Sequence, residues 1–155
     1  MLFRSSTDLA HLPELVDPLA ADTADVAYGS RLSHRSRTRR SFKREFISRS
    51  YIFILRTFAR LRVSDAQCGF KAMTREAARA IVPLVQDTRW FFDSEMLLIA
   101  QESGFRLLEV PVRWDEDPDT RVHIVDTALE DLKGVWRLRM GGVPRAPRGE
   151  HREAL

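Results

Sequence analysis

Residues 105–114 read Phe-Arg-Leu-Leu-Glu-Val-Pro-Val-Arg-Trp, and this stretch decides the fold class. Its apolar residues alternate with other side chains, so that Leu108, Val110, Val112 and Trp114 share one face. Strict alternation over this length is typical of a β-strand that is buried on one side only. The stretch therefore predicts a strand, which must find partner strands elsewhere in the protein.

Residues 24–28 (Ala-Asp-Val-Ala-Tyr) supply the second predicted strand, which stops at Gly29. Two strands alone do not make a stable sheet in water. The remaining patterned segments have helical spacing. We therefore predict an α/β fold in which this chain forms one part of a larger α/β unit.

Helical spacing of apolar residues and capping signals predict five helices. They cover residues 13–20, residues 42–61, the segment from Thr74 to Ile81, the segment from Asp93 to Gly104, and a last helix marked by Val125, Ala128, Leu129, Leu132 and Trp136. Thr74 and Asp93 are the predicted N-caps, and Gly104 is the predicted left-handed C-cap. Residues 32–41 are predicted to be a basic loop or helix entry. The tail 141–155, rich in Gly, Pro and Arg, is predicted to be disordered, which leaves 1–140 as the domain.

The long helix over residues 42–61 is predicted to have two functions. Its main apolar face, expected to pack on the domain, consists of Ile47, Tyr51, Ile54, Leu55, Phe58 and Leu61. Ile52 and Phe53 fall outside this stripe, and Arg49, Arg56 and Arg60 lie on the other side. Such a helix is suited to an anionic membrane surface, where arginines reach the headgroups. The alternative is that Ile52 and Phe53 complete the core against the missing half of the larger α/β unit.

Basic residues are concentrated in one block of the chain. Eleven Lys or Arg residues occur between positions 31 and 62, against one acidic residue, although the whole chain carries only +3. A block of this density indicates an anionic partner such as a phosphate, a lipid headgroup or a nucleic acid. No recognisable nucleic-acid-binding motif accompanies it, so nucleic acid is the weakest of these alternatives.

Composition excludes several classes of protein. No run of about 18 apolar residues exists, so nothing in the sequence is expected to span a bilayer. The single Cys68 excludes an internal disulfide and fits a reducing compartment. The expected location is therefore cytoplasmic, peripheral at the cytoplasmic face of the membrane.

Four segments together resemble the dolichyl-phosphate glucosyltransferase and mannosyltransferase group of family 2 glycosyltransferases. In chain order they are Asp25-Val-Ala-Tyr-Gly-Ser-Arg31, Asp65-Ala-Gln-Cys-Gly-Phe-Lys71, Arg89-Trp-Phe-Phe-Asp-Ser-Glu-Met-Leu97 and Glu109-Val-Pro-Val-Arg-Trp114. Their order and spacing match across roughly residues 6–139. The resemblance implies the C-terminal portion of a GT-A (nucleotide-diphospho-sugar transferase) fold.

The same resemblance implies an enzyme that transfers a hexose from a nucleotide sugar to a polyprenyl phosphate. Such enzymes hold Mg²⁺ or Mn²⁺ on an Asp-x-Asp pair, and those two positions fall here on Leu2 and Arg4. Neither side chain offers the oxygen ligands that these ions require. We therefore expect the chain to lack the nucleotide-binding half and to be inactive alone. The alternative is a lipid-binding module without chemistry.

By resemblance, several cations would contact phosphates. Arg31 would face the donor diphosphate or the acceptor phosphate, and Arg44 with Ser48, one helical turn apart, would hold the lipid phosphate. Trp114 would bind substrate, and Arg121, in the loop that follows it, would close over the substrate as a mobile clamp. The alternative for each arginine is a solvated surface side chain.

Two carboxylates, Asp65 and Glu95, are candidates for catalysis, and each has a structural alternative. By resemblance, Asp65 would orient the acceptor or take its proton, and the orienting role is favoured. Gln67 would bind substrate and Lys71 would offset phosphate charge. The alternative makes Asp65 a cap. Glu95 is the second catalytic candidate, and its alternative is a buried ion pair. The acidic run 115–119 lacks the spacing of a calcium loop, and the histidines have no ligand spacing with the cysteine, so no metal site is assigned.

Overall fold

The computed structural model describes residues 8–33, 35–39, 42–115 and 124–147 of the 155-residue chain. The helices are α1 (Leu12–Ala20), α2 (Phe42–Phe58), α3 (Arg75–Ile81), α4 (Phe92–Glu102) and α5 (Ile124–Gly141). The strands are β1 (Val26–Ser30), β2 (Arg37–Arg39), β3 (Lys71–Met73), β4 (Leu107–Pro111) and β5 (Arg113–Asp115). Two short 3-10 helices, Leu9–His11 and Val82–Leu84, precede α1 and follow α3.

A mixed sheet in the order β3-β1-β4 lies at the centre of the fold. Val26 of β1 is opposite Met73 of the antiparallel β3 and opposite Leu107 of the parallel β4. Strands β2 and β5 form a separate parallel pair in which Thr38 is opposite Trp114. The predicted α/β class is confirmed, and the sheet is mixed.

Both faces of β1 are buried. Val26 and Tyr28 belong to the larger apolar cluster, to which α2, α3, α4 and α5 contribute. Ala27 belongs to a smaller cluster with Leu15 of α1 and Val110 of β4. Because successive strand residues point to opposite faces, helices cover the sheet on both sides.

The predicted strand over 105–114 is two strands. Its first part, β4, pairs with β1, and its last part, β5, pairs with β2 in the other sheet. Between them, the backbone N–H of Val112 donates to the carbonyl of Ser30. Strand β2 also corrects the prediction of a loop or helix entry over 32–41. Strand β3, only three residues long, was not predicted.

Two predicted apolar faces need correction. On α2, Ile52 is buried with Tyr51 and Leu55, while Phe58 is exposed. Ile52 therefore completes the core of this chain, whereas Phe53, which the alternative interpretation also placed in a core, is 69% exposed. On α5, the predicted face is wrong at Leu132 and Trp136, which are exposed, because the residues that pack inwards are Asp131, Gly134, Val135 and Leu138.

The structure confirms two of the three predicted helix caps. The side chain of Thr74 accepts the N–H of Ala77, so its predicted N-cap role is confirmed. Gly104 has φ of +75°, as the predicted left-handed C-cap requires. Asp93 is not an N-cap: that position is Phe91, which makes no side-chain cap bond. Asp93 lies in the first turn of α4 and pairs with Lys71 instead.

Residues 142–147 continue from α5 as irregular chain. The N–H of Ala146 donates to the hydroxyl of Ser103, and the Ala146 side chain is buried. The rest of the tail that was predicted to be disordered, 148–155, lies outside the described residues.

Candidate functional site

One edge of the central sheet gathers most of the candidate residues. Strands β1 and β4 are parallel, so their carboxyl ends meet at this edge. Arg31 follows β1 directly, and Trp114 lies just beyond β4. The loop 59–70, which joins α2 to β3, reaches the same edge, where the carbonyl of Phe70 accepts the N–H of Gly29. The carboxyl edge of parallel strands is where open α/β sheets bind ligands.

Gly29 allows close packing at this edge. A Cβ atom at that position would lie 3.1 Å from Cγ1 of Val112 and 3.2 Å from the sulfur of Cys68. The absence of a side chain therefore lets the 59–70 loop and the strand after β4 approach the end of β1.

Arg31 and Asp65 form the most connected pair at the edge. Oδ2 of Asp65 accepts from Nε of Arg31 at 2.7 Å and from its backbone N–H at 3.0 Å, and Oδ1 accepts from Nη2 at 2.9 Å. This is the bidentate geometry that fixes a guanidinium in direction as well as position. The ring centroid of Trp114 lies 5.6 Å from Cζ of Arg31, within the range of a cation–π contact.

Asp65 is ionised and enclosed. Only 1% of the residue is exposed. Burial raises the pKa of this carboxyl, but the hydrogen bonds and charge of Arg31 outweigh burial, so the pKa lies below its usual range. A carboxylate of low pKa that is already held by an arginine is a poor base and a good orienting group.

Gln67 and Lys71 have partners within the protein. The backbone N–H of Gln67 donates to Oδ1 of Asp65 at 3.2 Å, and its side-chain amide donates to Oδ2 of Asp131 at 2.9 Å. The ammonium of Lys71 donates to the carbonyl of Cys68 and pairs with Asp93 at 3.1 Å. The side chain of Lys71 is 6% exposed, and its two contacts connect the 59–70 loop to α4.

Glu95 lies in a buried ion pair. Its two carboxylate oxygens accept from Nη1 and Nη2 of Arg137 at 2.9 and 2.8 Å, and Oε2 also accepts the N–H of Asp87. Burial raises the pKa of Glu95, and the bonds from Arg137 and from the Asp87 backbone bring it below the usual range. This geometry agrees with the alternative prediction for Glu95, a buried ion pair. Among the described residues, no contact links Glu95 to Arg31.

Asp131 is a buried carboxylate that sequence reasoning missed. It is 2% exposed, and Oδ1 finds no hydrogen-bond partner in the part of the chain that the structure describes. Burial, followed by the charge of Asp87, raises its pKa to about 7. Its position on α5 between Glu130 and Leu132 looks like a solvated face, so the sequence carried no signal for it.

Three further candidate residues, Arg44, Ser48 and Arg121, are not assigned to this edge. The side chain of Arg44 lies outside the described residues, as does all of Arg121. Ser48 is half-buried on α2. The structure thus brings together Arg31, Asp65 and Trp114, with Gln67 bonded to Asp65.

An exposed aromatic stripe runs along α2. Phe42, Phe46 and Phe53 are 86, 65 and 69% exposed. Their spacings of four and seven residues place them on one face of the helix. Arg49 lies between them on the same face and pairs with Glu45 at 2.6 Å. We refer to Phe42, Phe46, Arg49 and Phe53 as the aromatic stripe.

An open cleft of about 300 Å³ lies between the start of the described chain and the strand after β4. Its lining includes His11, Arg35 and residues 111–113, together with the carboxylates of Asp8 and Glu14. Within the described ranges, no group of three or more His, Cys, Asp or Glu residues could hold a metal ion. In the same part of the chain, no helix combines the length and apolar character needed to cross a membrane.

Comparison with known proteins identifies relatives of one kind. The chain is 42% identical over 137 residues to the glycosyltransferase AglD of Haloferax volcanii, a match that covers 86% of this chain and 22% of the relative. It is 34% identical over 101 residues to the dolichyl-phosphate beta-glucosyltransferase of Dictyostelium discoideum, covering 65% of this chain and 31% of the relative. It is 33% identical over 127 residues to the mouse dolichyl-phosphate beta-glucosyltransferase, covering 74% of this chain and 39% of the relative.

The chain therefore spans well under half the length of these relatives. No protein-family model matches the chain.

Proposed function

Since the chain belongs to the family 2 polyprenyl-phosphate glycosyltransferase group and spans only part of its relatives' length, we propose that it forms the acceptor-side part of an enzyme that moves a hexose from a nucleotide sugar onto a polyprenyl phosphate. The match over 86% of the chain carries this proposal. The mixed sheet with helices on both faces is consistent with the C-terminal portion of a GT-A fold.

Arg31 is the residue that we assign to the phosphate. In the part of the chain that the structure describes, Asp65 accepts one N–H from Nε and one from Nη2, so the two N–H groups of Nη1 and the second N–H of Nη2 can donate to an anion. The side chain is 14% exposed and lies against the Trp114 ring. Asp65 and Trp114 hold the guanidinium in one orientation, which lowers the entropy lost when a phosphate binds.

The proposed reaction requires little proton transfer by residues of this chain. A phosphate oxygen of the acceptor forms a bond to the anomeric carbon of the sugar, while the bond from that carbon to the nucleotide diphosphate breaks. A phosphate monoester is largely dianionic at neutral pH, because its second pKa is about 6. The enclosed, ionised Asp65 therefore orients Arg31 and is not assigned as a base.

The proposal includes Mg²⁺ or Mn²⁺ in the complete enzyme, to neutralise the leaving diphosphate. The described residues do not contain a cluster of oxygen ligands that fits such an ion. We therefore assign no metal ligand and derive no step of the mechanism through the ion.

The aromatic stripe supports contact with a membrane surface, where a polyprenyl phosphate presents its headgroup. Burying each phenylalanine in the interfacial region contributes up to about 1.5–3 kcal/mol. The basic block from residue 31 to residue 62 adds attraction to anionic lipids, about 1 kcal/mol for each cation near the surface. This revises the sequence-based hypothesis: Phe53 stays in the lipid-facing set and Ile52, which is buried, leaves it.

Two experiments test the proposed function. The first measures binding of farnesyl phosphate to the chain by calorimetry, with farnesol as the matched ligand without phosphate. We expect farnesyl phosphate to bind and farnesol to bind at least tenfold more weakly. Arg31→Lys, which keeps the charge and loses the fork, should weaken phosphate binding about tenfold. Arg62→Lys, a change at an exposed arginine, should not.

The second experiment replaces the matching segment of the Haloferax relative with this chain and measures transfer of labelled sugar to polyprenyl phosphate. We expect UDP-glucose or GDP-mannose to label the lipid when the chimera is present. A folded chimera that binds the lipid phosphate and transfers no sugar from either donor would contradict the proposal.

A further inference from the structure

A hydrogen-bonded relay joins α5 to the end of β1. It begins at Oδ2 of Asp131, which accepts from the side-chain amide of Gln67, and continues through the Gln67 backbone N–H to Oδ1 of Asp65. The same Oδ1 accepts Nη2 of Arg31. Gln67 is thus held by a carboxylate on each side, and its position depends on both.

Asp131 has an unusual environment for a buried carboxylate. The ionisable groups that influence it, or that feel its charge, are Asp87 in the loop before α4, Glu130 on α5 and Tyr51 on α2. None of these carries a positive charge, and Arg89 pairs with Glu130 at 2.6 Å. Gln67 is the sole hydrogen-bond partner of its carboxylate among the described residues. A buried carboxylate placed this way costs stability, so packing alone does not explain its presence.

We propose that Asp131 is a positioning residue for the lipid phosphate: through Gln67 it fixes the loop that carries Asp65, and thereby the direction of the Arg31 guanidinium. The inference rests on the proposed function only for the identity of the ligand. The relay itself is a property of the free protein and is tested without any substrate.

The charge of Asp131 determines the strength of its hydrogen bond with Gln67. A hydrogen bond to an ionised acceptor is roughly twice as strong as one between neutral groups. The pKa of about 7 means that the bond to Gln67 is charge-assisted above neutral pH and neutral below it. Arg31 should therefore be held more firmly at pH 8.5 than at pH 5.5.

The Nε–Hε resonance of Arg31 in a ¹⁵N–¹H spectrum of the full chain reports this directly. In the wild-type protein we expect this resonance to shift between pH 5.5 and 8.5 with a midpoint at about 7, together with the ¹³Cγ signal of Asp131. In Asp131→Asn the shift should disappear. Exchange of the Hε proton with water should become at least threefold faster, because one anchor of the loop has lost its charge.

Two further variants show whether the coupling passes through Gln67. In Gln67→Leu, the signal of residue 131 should still titrate while the Arg31 resonance no longer follows it. Glu102→Gln, which removes a surface ion pair with Arg145, should leave the Arg31 titration unchanged. Backbone amide spectra of all variants show whether the fold is retained.

The outcomes decide the inference without reference to sugar transfer. An Arg31 resonance that does not titrate near pH 7 in the wild type would overturn it. An Arg31 resonance that still titrates in Asp131→Asn, or that follows residue 131 in Gln67→Leu, would overturn it as well.

In a separate measurement, Asp131→Asn should weaken farnesyl phosphate binding about threefold at pH 8 and leave it unchanged at pH 5.5. If the relay is seen but neither protein binds the phosphate, the relay stands and the proposed function fails.

Discussion

Glu95 and Arg137 meet through two hydrogen bonds of 2.9 and 2.8 Å, which join α4 to α5. The Glu95 side chain is fully buried, and the Arg137 side chain is 35% exposed. Arg137 also donates to Gln86, so the pair fixes the loop before α4 as well. This pair is a structural connection between the two helices, which also contribute apolar side chains to the same buried cluster.

Breaking the pair should destabilise the protein strongly. Arg137→Ala leaves the Glu95 carboxylate buried without its cation, and we expect the free energy of unfolding to fall by about 3–5 kcal/mol in urea titrations. Arg145→Ala, at an exposed arginine that pairs with Glu102 at 3.4 Å, is the matched control and should cost less than about 1 kcal/mol. Equal losses for the two variants would mean that Glu95 is not held by this pair.

Gly134→Ala should destabilise the same helix for a steric reason. A Cβ atom at residue 134 would overlap the ring of Phe91, which is fully buried. Although alanine favours helix more than glycine does, overpacking of this kind costs about 1–3 kcal/mol. Gly141→Ala, at the end of the same helix where a Cβ would meet nothing within 4 Å, is the control and should not destabilise the protein in thermal unfolding.

The buried Asp131 predicts how stability changes with pH. Its pKa is about 7 in the folded chain against 3.8 for the ordinary group, so the folded state binds more protons between these values. This residue therefore lowers stability progressively as pH rises from about 4 through 7. Asp131→Asn should raise the melting temperature at pH 8, and the gain should shrink toward zero near pH 4.

Glu102→Gln is the control for this pH dependence, because it removes a carboxylate that is paired near the surface with Arg145 at 3.4 Å and is not among the groups that influence Asp131. We expect its melting-temperature difference from wild type to vary much less between pH 4 and 8. A difference for Asp131→Asn that is constant with pH would show that the carboxyl does not titrate in this range.

The aromatic stripe should bind anionic vesicles. In flotation with phosphatidylglycerol-containing vesicles at low salt, we expect the chain to bind, and to bind neutral phosphatidylcholine vesicles more weakly. Phe46→Ser with Phe53→Ser should reduce binding at least tenfold, from the lost apolar burial. High salt should also weaken binding, because screening shortens the reach of surface charges.

Phe58→Ser is the matched control for the stripe, since Phe58 is 52% exposed and lies on the opposite side of α2. It should leave vesicle binding unchanged. If Phe58→Ser and the double variant Phe46→Ser with Phe53→Ser bind vesicles equally well, α2 does not contact the lipid through the aromatic stripe.

Local chemistry explains what the sequence could predict. The N-cap of α3 depends on one hydrogen bond, which the N–H of Ala77 donates to the side chain of Thr74. The end of α4 depends on a glycine with positive φ. Both signals are contained within a few residues. The alternation in 105–114 indicated extended chain, but only the rest of the fold divides it between two sheets.

Burial of polar and small residues explains what the sequence could not predict. The inward face of α5 contains Asp131 and Gly134, which no hydrophobic pattern reveals, while Trp136 on the same helix is 67% exposed. Glu95 could be either an active-site acid or an ion pair until Arg137, 42 residues away, was placed beside it. The roles of Arg31, Asp65 and Trp114 at the site stay predictions, although the structure brings the three together.

The central position of β1 determines when the chain can fold. Its partners lie far ahead in sequence: Tyr28 pairs with Lys71 in one direction and with Glu109, 81 residues away, in the other. At typical rates of about 5–20 residues per second, a ribosome needs roughly 4–16 s to synthesise that interval. During that time β1 has no completed sheet to join, and α2 with its exposed phenylalanines is already made. Folding should therefore be slow and dominated by long-range pairing, and the nascent chain should depend on chaperones until β4 emerges.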